Sequence, residues 1–143
     1  MAQIRKCVSA DFQQVAVLLV QLWPQKAQNL SKLRGAFDRG LASTTQRYVC
    51  ATENGEIVGF ASFSMKSSLW QEALLASLDE LVVDEASRGQ GIGGALLDYV
   101  VEIARKTGCG RIELDSAFHR TEAHEFYERR GFEKRAFLFT MPL

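Results

Sequence analysis

The sequence predicts an α/β fold in which helices flank a mixed central β-sheet, with elements in the order β-α-α-β-β-β-α-β-α-β. Three observations point there. Some segments repeat apolar residues at helical spacing, while others are short apolar runs bounded by turn residues. The pair Asn54-Gly55 joins two of those runs as a hairpin, because it supplies the positive φ angles of a type I′ turn. A glycine-rich stretch, Gly89 to Gly94, then leads from an apolar run into an apolar helix pattern.

The elements follow in order. "QIRKCV" is a short strand. Ser9 is placed to cap a helix whose apolar residues Phe12, Val15, Ala16, Leu19 and Leu22/Trp23 recur at helical spacing until Pro24 discourages continuation. A second helix is expected over Leu30 to Leu41, with Leu30, Leu33, Phe37 and Leu41 on one face. "RYVCATENGEIVGFASFSM" is the hairpin, and "LLASLDELVVD" reads as a buried strand. Ile92, Ala95/Leu96, Tyr99/Val100 and Ile103/Ala104 mark a third helix that stops at Gly108. "GRIELDS" is a strand, "RTEAHEFYERR" a helix closed by Gly131, and "FEKRAFLFTM" a last strand.

Size and composition narrow the function. At 143 residues and 47% apolar, the chain suits one domain, 1–143, with a sizeable core. Net charge is zero, with Lys and Arg scattered among acids, so neither nucleic acid nor a membrane is an expected partner. The longest strictly aliphatic run, Val15 to Val20, is too short to span a bilayer, and "MAQIRK" lacks the apolar core of a signal peptide. Cys7, Cys50 and Cys109 are odd in number and lack paired spacing, which fits a reducing cytoplasm.

The glycine stretch has three readings. A P-loop needs Lys-Ser/Thr after its last glycine, and Ala95-Leu96 follows here instead. Gly89, Gly91 and Gly94 do satisfy the dinucleotide pattern G-x-G-x-x-G, with Asp115 ending a strand farther on. Against it, "DEAS" and Arg88 intervene after the strand, a hairpin precedes it, and only residues 116–143 remain for half a doubly wound sheet. The third reading is Arg88-x-x-Gly91-x-Gly93. Backbone N–H groups at a helix N-terminus bind an anion with the help of the helix dipole, glycine admits a bulky group, and Arg88 adds a charged donor.

On these residues the chain resembles the GNAT N-acetyltransferase superfamily, whose acetyl-CoA signature is Arg/Gln-x-x-Gly-x-Gly/Ala between a strand and a helix. "AHEFYERRGFEK", from Ala123 to Lys134, is similar to the second family signature, a tyrosine four residues before Gly-Phe. The order of elements matches too. The carboxyl-terminal half looks closest to bacterial acetyltransferases of small amines, of the aminoalkylphosphonate and aminoglycoside type.

The resemblance implies a GNAT fold and transfer of an acetyl group from acetyl-CoA to a primary amine by direct attack. Main chain of Leu81, Val82 and Val83 would bind the pantetheine arm, and Arg88, Gly89, Gln90, Gly91, Ile92, Gly93 and Gly94 the pyrophosphate. A backbone N–H near Val82 would polarise the thioester carbonyl, worth roughly 3 kcal/mol. Tyr127 would protonate the leaving thiolate. Asp79 and Glu80 both offer a base or amine-orienting group. They face opposite ways on a regular strand, so one alone aims at the amine unless a bulge intervenes. Arg120 stands where many members have asparagine, and could reach a CoA phosphate.

Other residues carry weaker signals. His119 and His124 are five apart, not the i, i+4 pair of a helical metal site, and no metal is expected. Cys109 reads as core, and Trp23 as either a helix-end aromatic or a stacking surface for substrate. Asp79, Glu80 and Asp115 would suit a cationic polyamine or aminoglycoside acceptor; Arg34, Arg39 and Arg47 would suit a phosphonate. A domain that binds acetyl-CoA without turnover, and acetylation of a protein amine, are the alternatives. A homodimer is compatible with the family.

Overall fold

The computed structural model describes residues 1–143. Strand β1 (Gln3–Lys6) leads through a 3-10 turn (Ser9–Asp11) into α1 (Phe12–Leu22), which is followed by α2 (Leu30–Ala42). Three antiparallel strands come next, β2 (Gln46–Glu53), β3 (Glu56–Ser68) and β4 (Ala73–Val83). Then come α3 (Ile92–Thr107), the parallel strand β5 (Cys109–Glu113) and α4 (Thr121–Arg129). The sheet order is β1-β2-β3-β4-β5.

Local chemistry sets most boundaries where expected. Asn54 and Gly55 have φ 51° and 79°, the two-residue turn that the hairpin required. Gly108 and Gly131, both at φ 95°, end the third and fourth helices. Asn29 caps α2, its side chain accepting from the Lys32 N–H at 3.0 Å. The start of α1 differs from expectation. Ser9 opens the 3-10 turn rather than capping the helix, and its hydroxyl meets Arg34 and Asp38 of α2. Asp11 organises the turn instead, accepting from the Val8 N–H at 2.8 Å and pairing with both terminal nitrogens of Arg5 at 2.8 and 2.9 Å.

Two apolar clusters sandwich the sheet. On one face α3 packs Ile92, Leu96, Leu97, Val100 and Ala104 against Val49, Ala51, Ala61, Phe63, Ala76 and Leu78. On the other, Phe12, Val15, Leu18 and Leu19 of α1 and Phe37 of α2 cover Cys50, Phe60 and Val82. Strand alternation assigns these faces, except where the strand pairings slip register. In the β3–β4 pairing Phe63 faces Leu78 and Ser62 faces Glu80, so Asp79 is a bulged extra residue. Before the bulge, Ala76 and Leu78 point to α3; after it, Val82 belongs to the α1–α2 cluster while Leu81 and Val83 pack toward α3.

The expected last strand over Phe132 to Met141 is absent. Residues 133–143 have no regular structure and are exposed throughout. Their apolar content favours a strand, but a strand needs an edge to take its backbone hydrogen bonds, and no edge of this sheet holds it.

Candidate active site

The site grows from the way β4 outruns β5. Their parallel pairing begins at Leu74↔Cys109 and ends at Ser77↔Glu113. From Leu78 to Val83, β4 therefore keeps β3 on one side and has no strand on the other. Leu81, Val82 and Val83, expected to bind an extended cosubstrate arm through main chain, all lie on that open length. A chain laid there can take hydrogen bonds as an added strand would.

At its far end β4 turns into the glycine corner. Gln21 of α1 clamps that turn, donating to the Asp84 carboxylate at 2.8 Å and accepting from the Glu85 N–H at 3.0 Å. Arg88 donates through Nε to the Val83 carbonyl at 3.0 Å, which pins it beside the strand end. Gly89 and Gly91 have φ 80° and 83°, and a Cβ on either would meet nothing within 4 Å. No side chain caps α3, whose first internal hydrogen bond joins the Ala95 N–H to the Gly91 carbonyl. The amides of Ile92, Gly93 and Gly94 are thus free at the positive end of a sixteen-residue helix. Arg88, Gly89, Gln90 and Gly91 are exposed around it. This cradle fits the diphosphate of acetyl-CoA.

The two later glycines have protein neighbours. A Cβ on Gly93 would lie 3.6 Å from Val83 Cγ2 and 3.8 Å from the Phe126 ring. One on Gly94 would collide with the Arg130 guanidinium, which donates to the Gly94 carbonyl and pairs with Asp98 at 2.7 Å. A methyl on Gly93 would thus make ordinary contacts, and one on Gly94 would displace the end of the Arg130 side chain.

The acidic pair is separated by the bulge. Asp79 is exposed and accepts from the Ser77 hydroxyl at 3.1 Å. Glu80 is turned onto the α1–α2 face, where its carboxylate accepts from the Ser62 hydroxyl and its N–H donates to the same oxygen at 3.1 Å. Ser62 is only 1% exposed. Burial pushes the Glu80 carboxyl above its usual range; the Ser62 hydroxyl opposes this, and the Asp79 and Asp115 carboxylates add to it. On a regular strand Glu80 would have faced α3.

Opposite the gap, α4 supplies Tyr127. Its ring meets Phe126 edge-on at 5.3 Å and Phe132 at 5.7 Å, and it packs against the cluster that Leu81 and Val83 also touch. Burial raises its pKa, with the Arg120 charge partly offsetting this, so the phenol stays protonated at neutral pH. Arg120, at the start of α4, is half-buried.

Two residues beside the site were not singled out from sequence. Ser62 looks like any polar residue on a hairpin, and only the register reveals its role. Tyr48 of β2 stacks on Phe37 at 5.3 Å and stands 5.8 Å from Phe60. Its hydroxyl pKa rises through burial and the nearby Glu80 and Asp79 charges, while Arg39 opposes the rise. Among the arginines suggested for an anionic acceptor, Arg34 is held by Asp38 at 3.1 Å and Arg47 donates to the Thr44 and Gln46 carbonyls. Arg39 stands near Tyr48 and outside every ion pair. Trp23 ends α1 with Lys26 over its ring, and Cys109 begins β5 half-buried. His124 contacts the Ala117 carbonyl at 2.9 Å, and His119 is exposed.

Residues 9–132 match the family model described as Acetyltransferase (GNAT) family. An aminoalkylphosphonate N-acetyltransferase of Salmonella typhimurium is 33% identical over 141 residues, covering 99% of this chain and 91% of that protein. The crystal structure of a transcriptional regulator from Bacillus halodurans superposes over the full length of both chains with a TM-score of 0.91 at 26% identity. Glucosamine-6-phosphate N-acetyltransferase from Arabidopsis thaliana shares the fold, with a TM-score of 0.84 at 20% identity over 99% of this chain and 98% of that one. No helix is long and apolar enough to cross a membrane. The chain belongs to the acetyltransferase (GNAT) family and is an acetyl-CoA-dependent N-acetyltransferase.

Proposed function

We propose that this protein acetylates the primary amine of a small molecule by direct attack, with Glu80 as base and Tyr127 as acid. The carrying observation is Glu80 itself, a carboxylate turned by a bulge onto the acceptor face, half-buried on Ser62, with its pKa raised. A free primary amine has a pKa of about 10.4, so deprotonating it at pH 7 costs roughly 4–5 kcal/mol. Glu80 takes that proton, directly or through water, as the nitrogen bonds to the acetyl carbon. The carbon–sulfur bond then breaks, Tyr127 gives its proton to the departing sulfur, and the nitrogen sheds its second proton to water. Solvent resets both groups.

Around this chemistry, the open length Leu81–Val83 pairs with the pantetheine arm. Arg88, Gly89, Gln90, Gly91 and the first amides of α3 hold the diphosphate. The acceptor we favour is an aminoalkylphosphonate. The Salmonella relative supports it, as does the pairing of Glu80 for the ammonium end with Arg39 for the anion. The whole chain works as one domain, and its three free thiols suit a reducing cytoplasm.

Release of the CoA thiol, followed over aminoalkylphosphonates, polyamines, aminoglycosides and peptide amines, tests this reading. The highest kcat/KM is expected on the phosphonates. Preference for a polyamine or aminoglycoside would reassign the acceptor, and tight acetyl-CoA binding without turnover on any amine would make the domain a sensor. Tyr127→Phe should lower kcat at least tenfold and leave acetyl-CoA affinity nearly unchanged.

A further inference from the structure

Three residues on neighbouring strands stand in one row beneath α2. Tyr48 of β2 lies opposite Ser62 of β3, and Ser62 lies opposite Glu80 of β4. Residues directly opposite one another share a face of the sheet, so all three point to the α1–α2 side. A half-buried phenol stands at one end of the row and a half-buried carboxylate at the other. Their backbones are two strand spacings apart, about 10 Å, which a small molecule can bridge.

The Tyr48 hydroxyl is weakly engaged within the protein. It donates to Gln46 Oε1 at a long 3.4 Å, which leaves the proton available to a better acceptor. α2 makes room for the group. Gly35 and Gly40 both lie inside this helix, where glycine is an unfavourable residue. A Cβ on Gly40 would collide with the hydroxyl and the end of the Tyr48 ring. One on Gly35 would stand 3.3 Å from Arg39 Nη1, tighter than an ordinary contact. The two absent side chains thus leave space for two donors, a phenol and a guanidinium. Phe37 stacks 20° from parallel on the Tyr48 ring and fixes it beneath the helix. Arg39 joins no ion pair, and its charge reaches Tyr48.

We propose that Tyr48 determines acceptor specificity: its hydroxyl, together with Arg39, binds the anionic end of the molecule whose amine faces Glu80. The assignment rests on the reading of Glu80 as base and of an aminoalkylphosphonate as acceptor. The phenol supplies a neutral donor that orients one oxygen, and the guanidinium supplies the charge. The pair selects a compact molecule with an amine and an anion over a plain amine of similar length.

Steady-state kinetics on 2-aminoethylphosphonate and on propylamine, which lacks the anion, test this. Tyr48→Phe keeps the stack on Phe37 and removes one donor. Its KM for 2-aminoethylphosphonate should rise at least tenfold, and the preference for that amine over propylamine, as a ratio of kcat/KM, should fall by the same factor. Arg39→Gln should give the same split. The double variant should lose less than the product of the two single losses, because both donors hold one anion. A parent that shows no preference for the phosphonate overturns the acceptor reading and the role of Tyr48 with it. A parent that prefers the phosphonate, with a Tyr48→Phe variant that keeps the preference, overturns the role of Tyr48 alone. Equal losses on both amines overturn it too and reduce Tyr48 to packing.

Discussion

At the scale of single residues the proposed site turns on Glu80. Its neighbour in sequence, Asp79, has the same chemistry but lies in the bulge, exposed and engaged by Ser77. The sequence showed two adjacent acids in an apolar strand and left the choice between them open, because a bulge has no reliable signature in one chain. The placement of Tyr127 on the last helix was legible because a helix, a tyrosine and Gly-Phe at fixed spacing form a local pattern. Ser62 was not, since it matters only through its cross-strand partner. Burial raises the Glu80 pKa, so folding favours the protonated form. That stabilisation is complete below the unfolded value of about 4.3 and is lost as pH rises through the folded value. At neutral pH the ionised carboxylate is a net burden on the fold. Glu80→Gln should therefore melt above the parent at pH 8, by about 4 °C for each kcal/mol gained, with the gap closing toward pH 4. The same change should lower kcat by roughly 10²–10⁴ and remove the acidic limb of its pH profile. A variant that melts higher but keeps full activity would strip Glu80 of the base role.

Among elements, the glycine corner shows how one short run divides its labour. Gly89 and Gly91 hold positive φ in open space, whereas Gly93 faces Val83 and Phe126 at ordinary contact distance and Gly94 lies under the Arg130 guanidinium. Sequence spacing could not separate these uses, because glycine looks the same whether it faces a ligand or a helix. The hairpin turn, the two glycine helix ends and the Pro24 stop were legible, since each depends on a residue's own backbone preference. The final strand failed because strand formation depends on a partner edge as well as on pattern. Gly91→Ala tests the cradle. An L-residue at φ 83° costs about 1–2 kcal/mol, and the added methyl would stand where the diphosphate is proposed to sit. The expected result is a KM for acetyl-CoA raised at least tenfold with a smaller change in kcat. An unchanged KM would move the diphosphate away from this corner.

For the whole molecule, the consequence of the splay is a fold with one well-packed part and one thinly held part. β2 to β4 with α1 and α3 contain nearly all the buried side chains, while β5 and α4 contribute none. The proposed cosubstrate arm lies along the seam between them, touching β4 on one side and approaching Tyr127 of α4 on the other. A ligand that binds only the folded state stabilises it by mass action, by about 2.7 kcal/mol at a hundred times its dissociation constant. For a chain of this length that is a rise in Tm of roughly 10 °C. Acetyl-CoA should produce that rise, and NAD should produce none, because the rejected dinucleotide pattern shares Gly89, Gly91 and Gly94 but needs a doubly wound half-sheet that residues 116–143 do not form. The gain should appear unevenly in hydrogen exchange. Amides of α4 and β5 should slow most, since they have the least packing of their own, while those of Phe63 and Leu96 should change least. A uniform slowing across the sheet would mean that the ligand stabilises the fold without bridging the seam, and the arm would then have to lie elsewhere.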